Sequence, residues 1–486
     1  MKRWPDVNWR RIVRVIGIML VIQGLAMWLG IPFSLHYKSA DWLALLVGGG
    51  ITLGAGSMLV LLRKSKNPHI GKREGYIIVS FSWVIISLFG TIPYLLSGAI
   101  PSFSNAFFET MSGFTTTGAT ILEDIEAVSP GILFWRSMTH LMGGMGIIVL
   151  SLAVLPFLGA GGVQLFSAEV SGLKTDKLHP RITETAKRLW IIYFGLVILQ
   201  TLFLLTGGMS LFDSLCHSFS TMATGGFSTK NDSIAGFSPY IQYVIIVFMV
   251  LAGINFTLHY FALHRQFSKV LRNEEFRYYL LMMLGMGVLV GVLLMVFHHL
   301  PAERALRDGM FQVVSIVTTT GFISSDYLSW KPFIWILIFM MMFTGGSAGS
   351  TGGGIKAIRT LLLIKSSVVE LKRLIHPRAY IPVRYDNKPV AQEVIARILA
   401  FFFFYIASIL TGIMIMSFLG LDFETAVGAV VASVGNIGPG IGNVGPVENY
   451  ADIHTAGKWV LSFFMLIGRL EIFTVLILLS PAFWRN

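Results

Sequence analysis

Cysteine is almost absent from this sequence, and charge is scarce. The single thiol among 486 residues, Cys216, excludes an internal disulfide, a cysteine zinc site and an iron–sulfur cluster. Charged residues make up 13% of the chain, about half of the roughly 25% that a soluble domain carries. Catalytic patterns are missing too. No H-E-x-x-H motif and no convergent Ser/His/Asp arrangement stands out, so no reaction is assigned and the chain does not read as an enzyme. The adjacent His298 and His299 lie near the end of an apolar run and read as interfacial rather than metal-binding. What is abundant is apolar: 54% of residues are hydrophobic, with 50 Gly and 37 Phe. This is the composition of an all-α polytopic integral membrane protein.

A spanning helix needs about 20 apolar residues. Such stretches occur near 12–31, 42–62, 76–98, 133–157, 189–206, 240–263, 278–297, 333–364, 394–418 and 456–480. The first has a basic flank (Lys2, Arg3, Arg10, Arg11, Arg14) like a signal peptide, but its run is too long and a second span follows closely, so it reads as a retained helix. With the N-terminus in the cytoplasm, 29 of the 37 basic residues fall in inner loops and tails, the positive-inside bias. Both termini are then cytoplasmic. The net charge of +12 is therefore a topology signal, and no nucleic-acid partner is implied. The outer face is left acidic, which gathers cations. Its Glu109, Glu123, Asp124 and Glu126 read as mostly solvated, a few of them lining an entry funnel.

Between pairs of spans lie four short apolar stretches that end in Thr/Gly clusters: SGFTTTGAT (112–120), STMATGGFS (220–228), SIVTTTGFI (315–323) and ASVGNIGPG (432–440). Aligning the last glycine of each core gives Gly118, Gly225, Gly321 and Gly438, about a hundred residues apart. The chain divides accordingly into an N-terminal two-helix addition (1–70) and four units of span, short helix, loop and span: 71–165, 166–270, 271–375 and 376–486. Asp213 and Asp422 sit where helix N-caps would be for two of the short helices. About ten residues are too few to cross a bilayer and suit a re-entrant segment, and irregular backbone at that depth must line an aqueous path or be buried in protein. Four such loops place the path on a pseudo-fourfold axis. An ion crossing it must exchange its water shell for protein oxygens, as rings of backbone carbonyls provide for potassium. Glycine allows the dihedrals that turn carbonyls inward, and threonine adds a hydroxyl and a stiff side chain. The candidate filter is Thr116, Thr117 and Gly118; Ala223, Thr224 and Gly225; Thr319, Thr320 and Gly321; and Asn436, Ile437 and Gly438.

On these loops, TTTGAT, MATGGFST, TTTGF and SVGNIGPG, the chain resembles over its whole length the TrkH/TrkG branch of the Trk/Ktr/HKT superfamily of potassium transporters. The two extra N-terminal helices are typical of that branch. The resemblance implies a bacterial inner-membrane potassium uptake subunit in which each repeat contributes one filter strand and potassium is the transported ligand, with no organic cofactor. A glycine at each core position is linked there to potassium selectivity, and all four are present; a serine at the first is associated with sodium-permeable relatives. The fourth loop departs from the threonine pattern.

The stretch GGSAGSTGGG (345–354) interrupts the eighth span. It is no phosphate loop, because Gly354 is followed by Ile355, Lys356 and Ala357 rather than by the Lys-Ser/Thr pair that motif requires. So many glycines at membrane depth (Gly345, Gly346, Gly349, Gly352, Gly353, Gly354) read as an unwound segment, and the resemblance implies an intramembrane gate below the filter. Arg469 lies inside the last span, where a charge defaults to a functional site. Glu471 is two residues away and not on its face, so Arg469 is expected to point at the pore or the glycine-rich loop and to raise a barrier to cations. The basic inner loop from Lys356 to Arg397 reads as positive-inside bias with contact to anionic membrane lipids, or as a docking surface. For it the resemblance implies a cytosolic ring of nucleotide-binding subunits of the TrkA type beneath a homodimer. Voltage-driven, channel-like conduction is the first reading. The alternative is a potassium symporter coupled to protons or sodium, for which Glu471 is the one candidate proton carrier, since arginine does not deprotonate.

Overall fold

In the computed structural model, the residues described are 7–62, 71–153 and 178–485. Lys2, Arg3 and the expected unit boundaries after 70 and 165 lie outside them. Among the described residues the regular structure is helical apart from a two-stranded hairpin that pairs Arg384–Tyr385 with Lys388–Pro389.

Among the described residues, six helices are long and apolar enough to cross a membrane, and two bent pairs raise this to eight. The remaining two of the ten expected spans are a helix at Pro130–Ala153, which adjoins undescribed residues, and a short apolar helix at Pro332–Met341. The two bends correct the sequence reading. Pro239–Ala252 meets Phe256–Leu263 at 101°, and Thr455–Arg469 meets Phe473–Leu479 at 117°, where continuous helices are expected. At the first, Asn255 caps the new helix by accepting from the Thr257 amide at 2.9 Å. At the second, Glu471 and Ile472 both have positive φ, 57° and 58°. A β-branched residue is strained there, so the surrounding packing enforces the turn; Ile472 is buried.

Four short helices lie between the long ones: Phe103–Phe114, Leu211–Met222, Ala302–Val317 and Phe423–Gly435. The first three positions of such a helix need outside acceptors. Asp422 supplies one, accepting from the Thr425 amide at 3.0 Å. Asp213 does not. It is the third helical residue, and Ser210 is the cap, accepting from the Asp213 amide at 3.0 Å while donating its hydroxyl to the Asp213 carboxylate at 2.7 Å. The pair has the spacing of a capping box, but the Asp213 carboxylate accepts from the Ser210 hydroxyl and not from the Ser210 backbone N–H. The N-terminal two-helix addition is tied to the rest through Asp41, whose buried carboxylate accepts from the Ile132 amide at 3.0 Å at the start of the Pro130–Ala153 helix.

Candidate functional site

All four short helices end alike. A left-handed residue closes each: Thr116, Thr224 and Thr319, each just after its helix cap, and Asn436, which is itself the cap, with φ of 52°, 55°, 57° and 52°. The next amide closes back on the carbonyl five residues earlier: Thr117 on Ser112 (2.9 Å), Gly225 on Ser220 (2.8 Å), Thr320 on Ser315 (2.9 Å) and Ile437 on Ala432 (2.9 Å). This is the Schellman closure, which usually has glycine at the left-handed position. Threonine there is strained, and such strain clusters at functional sites. A left-handed glycine follows two positions on: Gly118, Gly226, Gly321 and Gly438, with φ of 82°, 82°, 79° and 98°.

The four loops close a ring. A Cβ placed on Gly118 would strike the carbonyl oxygen of Gly225; on Gly226, that of Thr320; on Gly321, that of Ile437; and on Gly438, that of Thr117. Each strand thus touches the next, and the fourth returns to the first. Adjacent strands are also hydrogen-bonded further out. Ile234 N–H donates to Ile323 (2.9 Å) and Tyr450 N–H to Thr120 (2.8 Å), while the Tyr327 hydroxyl donates to the Gly440 carbonyl at 2.6 Å.

The ring shifts the register of the second loop by one residue. The counterpart of Gly118, Gly321 and Gly438 is Gly226, with Thr224-Gly225 in the places of Thr116-Thr117. Ala223 is the helix cap, as are Thr115 and Thr318, and Gly435, the last residue of its helix, takes the same place in the fourth loop. The sequence alignment anchored on Gly225 because ATGG offers two adjacent glycines. Gly225 is required for another reason: its Cβ would collide with the His140 ring.

Gly118, Gly226, Gly321 and Gly438 line one cavity of about 180 Å³, together with Glu123, Lys230 and Asn449 among others. The C-terminal ends of four helices, with their partial negative charge, converge on the ring and favour a cation there. At the outer surface Glu126 accepts from the Lys230 ammonium at 3.1 Å and holds the lysine pKa above its ordinary value. Asp124 is held below its ordinary value chiefly by the Asn231 side-chain amide, which donates to it at 2.9 Å. Glu109 corrects the expectation of a solvated carboxylate. It is fully buried and pairs with Arg136 at 2.7 Å.

Under the ring runs the segment 342–356, which joins Pro332–Met341 to the helix Ala357–Ile375. It touches three of the four loops or their helices. Gly353 N–H donates to the Thr319 hydroxyl at 2.6 Å. The Thr351 hydroxyl donates to the carbonyls of Met222 (3.0 Å) and Ala252 (3.2 Å). A Cβ on Gly353 would crowd the Gly435 carbonyl and Asn436. Arg469, 2% exposed, donates to the Thr351 carbonyl at 2.7 Å and to the Gly143 carbonyl at 3.2 Å, which reaches the first unit as well. Glu471 faces elsewhere and pairs with Arg359. Three residues here escaped the sequence reading, Gly226, Thr351 and Arg136, while Glu109 reads there as a solvated carboxylate. For Arg136 a signal was available, since it sits in an apolar run near 133–157 just as Arg469 sits in the last one.

The model of the TrkH family, described as a cation transport protein, matches residues 44–486. The chain belongs to the TrkH family. The Trk system potassium uptake protein TrkH of Halomonas elongata is 39% identical over 481 residues, 98% of this chain and 99% of that one. Its counterpart in Escherichia coli K12 is 38% identical over 486 residues, covering 99% and 100%. The crystal structure of the potassium transporter TrkH from Vibrio parahaemolyticus matches with a TM-score of 0.91 at 36% identity, covering 99% of this chain and 100% of that one. The mostly helical membrane fold of the TrkH family and a transport rather than enzymatic role therefore hold for this chain.

Proposed function

We propose that this protein is the ion-translocating subunit of a bacterial potassium uptake system and conducts potassium through the ring of four loops. The observation that carries the reading is that ring: four strands, each opened by a strained left-handed residue and carrying a left-handed glycine two places on, closing on one another around one cavity. Backbone carbonyls of Thr116, Thr117 and Gly118, Thr224, Gly225 and Gly226, Thr319, Thr320 and Gly321, and Asn436, Ile437 and Gly438 replace the hydration shell. Asn436 bridges the fourth strand to the first, its amide donating to the Thr117 hydroxyl at 2.9 Å. The segment containing Gly345, Gly346, Gly349, Gly352, Gly353 and Gly354 is the gate, held shut by Arg469. The driving force is the membrane potential, about 2.3 kcal/mol per charge per 100 mV. The four units keep the boundaries read from the sequence.

The protein sits in the inner membrane with both termini cytoplasmic, as a homodimer in contact with anionic lipid. Its basic inner face (Lys372, Arg373, Arg378) receives a cytosolic nucleotide-binding ring of the TrkA type. What favours conduction over coupled symport is the Arg359 pairing of Glu471, the one carboxylate that proton coupling could use among those in the last span.

The test is cation flux into liposomes holding the purified protein. Potassium and rubidium flux that follows an imposed voltage without a proton or sodium gradient, with sodium and lithium flux much smaller, is the expected result. Flux that requires either gradient overturns conduction in favour of symport.

A further inference from the structure

The buried Glu109–Arg136 pair is more than a neutralised charge in the core. Glu109 lies in the first pore helix, and Arg136 in the long helix that follows. The carboxylate accepts three further contacts from the first loop just beyond its filter glycine: the Thr120 hydroxyl at 2.9 and 3.1 Å on its two oxygens, and the Ile121 amide at 2.9 Å. The guanidinium reaches the other way. Arg136 Nη1 donates to the Ser228 carbonyl at 3.0 Å, two residues past Gly226. Its carbon lies 3.5 Å from the centre of the Phe227 ring, and Phe227 stacks on His140 at 4.1 Å.

We infer that Glu109 and Arg136 are positioning residues for ion selectivity, fixing the outer ends of the first and second filter strands relative to each other. The inference rests on the loops being the filter. Strands two and three, three and four, and four and one are joined by the direct bonds of Ile234, Tyr327 and Tyr450. Strands one and two are joined further out as well, by the Ile125 amide donating to the Asn231 side chain at 2.6 Å and by Asn231 donating to Asp124 at 2.9 Å. Closer to the filter glycines their link is the buried Glu109–Arg136 pair, between Thr120 and Ile121 on one side and Ser228 on the other. Arginine suits the task because its planar fork can serve a carboxylate and a carbonyl at once, which a lysine ammonium cannot do with the same geometry. The pair is 0% and 2% exposed on its side chains, so it is set by the fold and not by solvent. Arg136 also lines the cavity above the ring, so its charge is visible to an entering cation while its position holds the oxygens that receive it.

The experiment compares potassium and sodium flux in liposomes for the full-length protein and for Glu109→Gln, Arg136→Lys and the double variant Glu109→Gln/Arg136→Gln. Gly118→Ser is carried alongside as the variant that alters a strand directly. The expected result is a potassium-to-sodium ratio reduced about tenfold in each of the three, equivalent to ~1.4 kcal/mol of differential binding, with Gly118→Ser also eroding it. The double variant carries no unpaired buried charge, so it remains readable should a single variant fail to assemble. A ratio unchanged in the double variant, with Gly118→Ser eroded, overturns the positioning role and leaves the filter intact. A ratio unchanged in Gly118→Ser as well overturns the filter reading itself. A loss of yield with the ratio kept marks the pair as structural only, and counts against the inference.

Discussion

Arg469 Nη1 lies 2.7 Å from the carbonyl oxygen of Thr351, so a side chain of the last span holds the backbone of the segment beneath the ring of four loops. The same guanidinium reaches Gly143 in the first unit, and Thr351 itself donates to the end of the second pore helix. One residue therefore ties the segment to the first unit directly and, through Thr351, to the adjacent second unit, with its own charge buried at that level.

Removing that charge is expected to raise conduction. At an effective dielectric of 20, one unit charge about 6 Å from another costs about 3 kcal/mol, so Arg469→Gln should raise potassium flux at least tenfold at equal incorporation, read by stopped-flow in liposomes. Arg469→Lys separates the two roles, since it keeps the charge and loses the two-pronged grip. Flux near the parent's in Arg469→Lys assigns the barrier to charge; flux near that of Arg469→Gln assigns it to the grip. A variant Arg469→Gln no faster than the parent contradicts both.

The register of the second loop predicts a difference between adjacent glycines. Gly226 is left-handed and faces the Thr320 carbonyl, whereas Gly225 faces the His140 ring. Gly225→Ala should therefore be partly repaired by His140→Ala, which vacates the space its methyl needs, with a coupling energy in the range of about 0.5–3 kcal/mol for contacting residues. Gly226→Ala collides with backbone and has no such suppressor. Thermal midpoints and potassium-to-sodium flux ratios of the four proteins check this; additive effects for Gly225 and His140 would contradict the packing.

What could be read from the sequence was what depends on neighbours along the chain. Hydropathy located the spans, and the Asp422 cap followed from side-chain chemistry three residues away. The glycine-rich break was visible because helices do not tolerate such composition. What could not be read depends on distant partners. Glu109 and Arg136 are 27 residues apart and meet only because a pore helix folds back against the helix that follows. Asp213 looked like a cap, but Ser210 takes that place, and the two candidates lie within one turn. The bend at Glu471 and Ile472 carries no glycine or proline to announce it and is imposed by packing.

The Asp422 cap gives a prediction about acid. Thr425 holds this carboxyl below its ordinary value of 3.8, first through its backbone amide. A carboxylate depressed in the folded state contributes its full stability above the unfolded value and loses it as pH falls through the folded one. The cap should thus be intact at neutral pH and fade below about pH 4. Asp422→Ala should cost about 1 kcal/mol at pH 7, seen as a lower thermal midpoint, and the difference from the parent should shrink on acidification. A gap that persists at pH 3 would mean that something other than the ionised cap is lost.

Glu471 is the carboxylate of the last span at which conduction and proton coupling predict different results. Its carboxylate pairs with Arg359 at 10% and 7% side-chain exposure, and the Arg359 guanidinium lies 4.0 Å from the centre of the Phe401 ring. Arg359 belongs to the helix that begins just after the glycine-rich segment, so the pair joins the exit of that segment to the bend in the last span. Breaking a buried pair by removing one member costs about 3–5 kcal/mol, because the other charge is left uncompensated, whereas removing both is far milder. Glu471→Gln should lower the thermal midpoint, and Arg359→Gln in the same chain should recover much of the loss. Potassium flux in the double variant should still follow voltage with no proton gradient. Were Glu471 a proton carrier, the double variant would instead regain stability while losing uptake that depends on pH, and measuring midpoint and flux on one preparation separates the two.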